Sequence, residues 1–375
     1  MASIMDYILW RGDLPLRVSP LSPADMLILS QLAYTDPGPE ARSSEGAVLR
    51  ELLFPASAPD TPADSWLELA RSAAASLRYG SMRLHDYVNV VDPERDIQFS
   101  AVTASLPDGR SCVCFRGTDN TLVGWREDFT MAFESPVPAQ MEALTYLERI
   151  SLRTGGGIRL TGHSKGGNLA VYAAARASAA AQAQIQSVYT FDGPGVDDET
   201  FLSDGYRRIG SRIHSFIPQS SVIGLLLAYH PDYTVVRSGA EGFRQHDAFT
   251  WQLIGPRFEE LSEVDAGSRL INETVHEWLR TVSPQQRRTF VNTLFDVLEA
   301  SGASTLRDLK ADRVRSALGM IAAGRELDGE TLRMMGYLVG SFLTIGMGNL
   351  WDAVLHKPRQ LLQTATHYLE STQEE

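Results

Sequence analysis

Along the first 250 or so residues the apolar positions switch repeatedly between the two-residue spacing of strands and the three-to-four-residue spacing of helices. Ser22-Pro23-Ala24-Asp25 opens a helix that runs through "MLILSQLAY": Ser22 caps it, Pro23 fits its first turn, and Asp25 meets the positive end of the helix dipole. Residues 36–46 and 55–64 are rich in Pro, Ser and Gly and are expected to be loops, whereas 46–54 and 65–79 are helical in pattern. "DIQFSAVTASLPDGRSCVCFRGT" (96–118) predicts two strands folded back at Pro107-Asp108-Gly109. A helix is then expected over 137–153, a strand over 158–161, a helix over 165–182, and strands over 185–191, over 211–217 and in "YTVVRS". Alternating strands and helices imply an α/β fold with a mostly parallel central sheet covered on both faces. In such sheets the working site lies at the carboxyl ends of the strands.

After Trp251 the pattern changes. From 258 to 375 it is almost all helical, with breaks near Ser283-Pro284, Gly302, Gly324 and Pro358. The expected organisation is therefore an α/β domain over 1–255, including an N-terminal leading segment, and a helical region over 256–375 acting as a cap or an oligomerisation element. Within that region Met334 to Trp351 carries no formal charge over 18 residues, at the lower edge of membrane-spanning length. Four glycines, Ser341, Thr344 and Asn349 dilute it, so a buried helix pair is preferred and peripheral membrane contact is the less favoured reading.

Composition narrows the function classes. The chain has 375 residues and a formal charge of -12, which argues against a general nucleic-acid binder, since phosphate neutralisation needs a basic surface. The only cysteines, Cys112 and Cys114, stand two apart on one predicted strand, which suits small apolar core residues better than a disulfide or a zinc site. Asp6 and Asp13 stand where a secretory signal would be basic and then apolar, so a cytoplasmic location is expected.

The candidate chemistry sits in "RLTGHSKGGNLAVYAAA" (159–175), where a strand pattern turns at once into a helix pattern. Phosphate cradling is disfavoured: His163 stands where a P-loop needs lysine, and the strand lies between the two glycines instead of before the first. Gly162, Ser164 and Gly166 instead meet the G-x-S-x-G spacing of a nucleophile elbow, whose glycines keep side chains out of a crowded corner. A nucleophilic serine needs a base, and the base needs an orienting carboxylate, in the chain order nucleophile, acid, base. Of eight histidines, His246 in "GFRQHDAFTW" follows the last predicted strand by a short loop and is the expected base, with His230 the competitor and His214 assigned to a strand. Asp192 in "VYTFDGPGV", at the carboxyl end of the strand after the elbow helix, is the expected acid, with Asp232 and Asp247 as alternatives. The oxyanion hole is expected from the backbone N–H of Lys165 and from Thr118, at the end of the strand "VCFRGT". Arg116 and Asp128 are expected to hold that loop in shape.

"VCFRGTDNTLVGWREDF", "LTGHSKGGNLA" and "TFDGPGV" together resemble the class 3 lipase branch of the α/β-hydrolases over roughly residues 95–250. There an F-R-G-[ST] strand end supplies the oxyanion residue and G-H-S-x-G-G the nucleophile. "MDYILWRGDLPL", "GHSKGG" and "QHDAFTW" look more closely like a bacterial family labelled Mbeg-like, from which no substrate carries over. The resemblance implies an α/β-hydrolase fold and a serine hydrolase and leaves the chemistry of the acyl group open; the first reading is a hydrolase acting on carboxylic esters through an acyl-enzyme on Ser164. Acyl transfer, thioester cleavage and a catalytically silent binding module are the alternatives. Two departures stand out. Class 3 lipases usually carry their acid in N-D-x-V-P after the strand matching 211–217, where this chain has Gln219-Ser220-Ser221-Val222; the acid is inferred to have moved to Asp192. Lys165 replaces a usually apolar residue and is expected to be solvated, the alternative being attraction of an anionic substrate. The expected partner is a small-molecule ester or acyl substrate, with homo-oligomerisation open; the mechanism calls for no cofactor, and no metal cluster is visible.

Overall fold

The structure is a computed structural model; it describes residues 2–54, 62–119, 121–131, 134–227, 230–269, 283–300 and 302. The chain divides into two compact units, 1–118 with 135–273, and 119–134 with 274–375.

In the first unit, α1 (Ile4–Arg11) starts at a capping box in which Ser3 and Asp6 satisfy each other's backbone N–H groups. The same reciprocal box, Ser22 with Asp25, opens α2 (Pro23–Leu32), at the Ser22 cap that the sequence predicts. β1 (Ala47–Val48), α3 (Pro62–Ala75), β2 (Arg83–Asp92), β3 (Ile97–Ser105) and β4 (Ser111–Phe115) follow. After the second unit's α4 (Leu122–Thr130), the first unit continues with α5 (Pro138–Ser151), β5 (Ile158–His163), α6 (Lys165–Arg176), α7 (Ala179–Gln184) and β6 (Ile185–Phe191). It closes with the short α8 (Asp198–Phe201) and α9 (Asp204–Ile209), β7 (Ile213–Pro218), β8 (Tyr233–Val236), β9 (Leu253–Ile254), β10 (Arg257–Phe258) and β11 (Glu260–Leu261).

Nine strands form one sheet in the order β1-β2-β3-β4-β5-β6-β7-β8-β11. β4 to β8 are parallel neighbours, and antiparallel strands flank them on both sides. This is the α/β fold with a mostly parallel sheet that the alternating pattern implies. Successive side chains of β4 show why both faces must be covered. Cys112 and Cys114 enter the core shared with α1, α2 and α3, while Val113 and Phe115 enter the core shared with α5 and α6. Both cysteines are buried and unbridged, with their sulfurs 3.8 Å apart.

Several local expectations give way to tertiary pairing. Residues 46–54 are not helical: Ala47 and Val48 pair with Leu84 and Arg83, and one 3₁₀ turn follows. Gly46 permits this with φ 60°, because a Cβ there would overlap the Leu84 carbonyl. β2 escapes the pattern because a bulge between His85 and Val88, with Asp86 at φ 54°, breaks its two-residue period. The single helix expected over 165–182 is two, since Ser178 caps a second start and Gln182 Nε2 ties up the carbonyls of Ala174 and Ala175. Residues 258–261, within the stretch expected to be helical, are instead in strands: Arg257 and Phe258 pair with β9, and Glu260 and Leu261 with β8.

A buried ion pair secures the leading segment. The Arg78 guanidinium grips the Asp25 carboxylate in a two-pronged contact, Nε to Oδ1 at 2.6 Å and Nη2 to Oδ2 at 2.7 Å, and both side chains are fully buried. Its remaining N–H groups donate to the carbonyls of Leu14, Ser19 and Pro20. Tyr79 and Tyr7 donate their hydroxyls to the same carboxylate. Such a pair is tolerated in a low dielectric because every lone pair and N–H is occupied.

In the second unit, α10 (Pro284–Ala300) begins at the predicted Ser283-Pro284 break and packs on α4. Phe129 meets Phe295 edge to face at 5.9 Å, and Arg126 lies over the Phe295 ring while reaching Asp296 and Glu299. The segment Met334–Trp351 lies outside the described residues. Among those described, no helix is long and apolar enough to cross a membrane.

Replacing Arg78 by Ala leaves a carboxylate buried without its cation and is expected to cost about 3–5 kcal/mol of stability. Urea unfolding of the variant against the wild type checks this, and Arg78→Lys, which cannot reproduce the fork, should recover only part of the loss.

Candidate active site

The corner at Ser164 is set by glycines. Ser164 has φ 57° and ψ −133°, a strained conformation for a side-chain-bearing residue, between the end of β5 and the start of α6. A Cβ on Gly162 would overlap the backbone of Gly166, and one on Gly166 would overlap the Phe115 carbonyl at the end of β4. The two glycines of G-x-S-x-G therefore allow strand, helix and neighbouring strand to touch. Gly167 adds a third close approach, to Thr190 and Gly193.

Three distant residues converge at this corner. His246, in the 3₁₀ turn Gly242–His246, places Nε2 2.9 Å from Ser164 Oγ and Nδ1 2.6 Å from Asp192 Oδ2. A carboxylate only accepts, so Nδ1 carries the proton, and Nε2 is left to accept the Ser164 hydroxyl. Asp192 lies one residue past β6 with φ 47° and is buried at 1% exposure. Its Oδ1 accepts from Ser221 Oγ and from the Gly224 backbone N–H, so the loop after β7 supplies donors to this carboxylate. The turn carrying the histidine is pinned twice: Trp251 Nε1 donates to the Gln245 carbonyl, and Gln245 Oε1 accepts from the Ser220 N–H.

The other candidates are placed as follows. Gly117 packs so tightly on the elbow that a Cβ there would stand 3.1 Å from Ser164 Cβ and 2.5 Å from the His163 carbonyl, which brings Thr118, the next residue, to the same corner. The backbone of Lys165 opens α6, but its side chain is neither solvated nor offered to a substrate. It is 1% exposed and Nζ donates to the Gln98 carbonyl of β3 at 2.9 Å, since a buried ammonium has to be hydrogen-bonded within the protein. His230 is engaged elsewhere, with Gly210 and Asp232, and His214 stacks on Tyr189. His276, His356 and His367 lie outside the described residues. Among the described residues no group of three or more His, Cys, Asp or Glu side chains could hold a metal ion.

Two neighbours of the corner are given no part in the site by sequence reasoning. His163 lies with its ring 4.7 Å from that of His246, and its Nε2 is 2.8 Å from the His246 carbonyl. Tyr34, far away in the leading segment, brings its hydroxyl 3.3 Å from His163 Nδ1 and stacks flat on Trp66 at 4.5 Å. The G-H-S spelling singles out His163, but no spacing rule ties Tyr34 or Trp66 to it.

Residues 73–296 match the family described as Mbeg1-like, which is more than half of the chain. The chain belongs to the Mbeg1-like family. No curated protein matches it. Among solved structures it is similar to M37 lipase, with 15% identity and a TM-score of 0.35, over 54% of this chain and 69% of that one. The Mbeg1-like match takes in Ser164, Asp192, His246 and His163, whereas Tyr34 and Trp66 precede it.

Burial, reinforced by the neighbouring His246, pushes the His163 imidazole down to about 3, so the folded protein holds it neutral. In the unfolded chain it titrates near the ordinary value of 6.5. Between these values the unfolded state binds a proton that the native state refuses, so this residue lowers stability as the pH falls below about 6.5 and has no effect above it. Denaturant midpoints from about pH 7.5 to pH 4.5 should fall less steeply in His163→Gln than in the wild type, by up to about 1.4 kcal/mol per pH unit.

Proposed function

We propose that the protein is a serine-dependent carboxylic-ester hydrolase. The observation that carries this reading is the unbroken relay Ser164 Oγ, His246 Nε2, His246 Nδ1, Asp192 Oδ2, with contacts of 2.9 and 2.6 Å between residues 82 and 54 positions apart.

In this mechanism His246 takes the Ser164 proton as Oγ attacks the ester carbonyl, and the imidazolium is stabilised by Asp192. Side-chain exposures of 18% for His246 and 2% for Asp192 suit their parts: the base is reachable by substrate and the acid is sealed from water. The tetrahedral oxyanion is received by the Lys165 N–H, at the positive end of α6, and by Thr118. His246 then returns the proton to the departing alcohol, leaving an acyl group on Ser164. Water, activated by the same histidine, releases the acid. An alcohol or amine acceptor would make the enzyme an acyltransferase by the same first half-reaction, and product analysis with competing nucleophiles separates the two.

A fluorophosphonate probe is expected to label the wild type and not Ser164→Ala, and turnover of p-nitrophenyl esters should fall about 10⁴-fold or more in Ser164→Ala or His246→Ala and about 10³–10⁴-fold in Asp192→Asn. Folded wild type that takes no label, with ester turnover indifferent to His246→Ala and Asp192→Ala, would instead favour a silent binding module. Gly117→Ala forces a methyl against Tyr34 and the elbow backbone, and should lower kcat about 100-fold at a small change in KM.

A further inference from the structure

We propose that His163, set by Tyr34, is a positioning residue that holds the catalytic histidine turn in register. This rests on the hydrolase reading above and goes beyond it, because neither residue belongs to the relay.

The argument begins with proton placement. The carbonyl of His246 can only accept, so the 2.8 Å contact puts the proton of His163 on Nε2. Nδ1 is then an acceptor, and the Tyr34 hydroxyl faces it at 3.3 Å. The chain of bonds has a single direction: Tyr34 O–H to His163 Nδ1, then His163 Nε2–H to the His246 carbonyl. Each link is held from outside. Tyr34 lies nearly parallel to Trp66, at 8° between ring planes, and Trp66 Nε1 donates to Gln31 Oε1 at 2.9 Å. Gln31 is itself buried at 1% exposure in α2, and the Tyr34 oxygen fills the space that the absent side chain of Gly117 leaves. The far end of this chain is the backbone of the base.

Fixing that carbonyl fixes the orientation from which the His246 ring must reach Ser164 on one side and Asp192 on the other. Proton transfer over such distances tolerates little misplacement. The ring of His163 also lies 4.7 Å from that of His246, where a second cation would oppose formation of the catalytic imidazolium. The titratable groups around it are Tyr34, His246 and Asp192, and burial keeps the ring uncharged through the working range.

The test compares His163→Ala, His163→Gln and Tyr34→Phe with the wild type in three readouts. Glutamine carries an N–H donor close to the place of His163 Nε2, so it separates the bond from the bulk of the ring. Expected are a fall in kcat of about 10- to 100-fold in His163→Ala at nearly constant KM, a displaced acidic limb of the kcat/KM profile, and recovery of most of the rate in His163→Gln. Tyr34→Phe should lose about two- to fivefold, as one hydrogen bond beyond the base. The third readout needs no turnover: the downfield proton resonance of His246 Nδ1–H against Asp192 should broaden or move in His163→Ala and stay in His163→Gln. An unchanged resonance, rate and pH limb in folded His163→Ala would overturn the proposal. If the wild type neither turns over esters nor takes the probe, the hydrolase reading fails, and the resonance alone decides whether His163 positions the turn.

Discussion

The reversal of the chain at Ser164 is the constraint on which the rest depends. A residue with a side chain at φ 57° and ψ −133° is strained, and it persists only where packing leaves no other path. That packing comes from backbone touching backbone: Gly162 against Gly166, Gly166 against the end of β4, and Gly167 against Gly193. Because β4, β5 and β6 are parallel neighbours, the strand ends that crowd the corner also deliver Gly117-Thr118 on one side and Asp192 on the other. The strain thus does two things at once, lifting a hydroxyl clear of the sheet edge and aiming the start of α6 at the same point.

Around that corner the carboxylate is the most heavily braced group. Asp192 accepts from Ser221 and from Gly224 as well as from His246, so its charge is compensated although it is almost completely buried. Just after β7, Gln219-Ser220-Ser221-Val222 carries no carboxylate, and this loop contributes the Ser221 hydroxyl and the Gly224 amide as donors instead. A carboxylate at the end of β6 can therefore meet His246, because adjacent parallel strands end side by side and the turn carrying His246 is anchored separately through Trp251 and Gln245.

The leading segment is tied to the same site by a different kind of interaction. The Arg78–Asp25 fork, sealed from water and saturated with hydrogen bonds, joins the start of α2 to the chain just after α3 and to three carbonyls of the connection between α1 and α2. A buried pair of this sort adds little net stability over apolar packing, but it admits few alternative geometries. It orders α2, which Tyr34 follows, and α3, which carries Trp66; Trp66 stacks on Tyr34, and Tyr34 meets His163 beside His246.

Much of this was legible in the residues themselves. The helix cap at Ser22, the turn at Gly109 and the glycine spacing around Ser164 are local facts, since each depends on the φ or the acceptor that one residue type supplies. Chain order and the strand-end position of Asp192 and His246 were enough to nominate the partners of Ser164. What depended on the fold was decided elsewhere: Ala47 and Val48 became an edge strand because Gly46 let them pair with β2, and the Lys165 amine turns inward to an acceptor, the Gln98 carbonyl, that lies 67 residues away in the sequence. Tyr34 meets His163 across 129 positions. A sequence states which groups are able to donate, accept or bend; which of them meet is settled only when packed strands and helices bring distant residues within a hydrogen bond of each other.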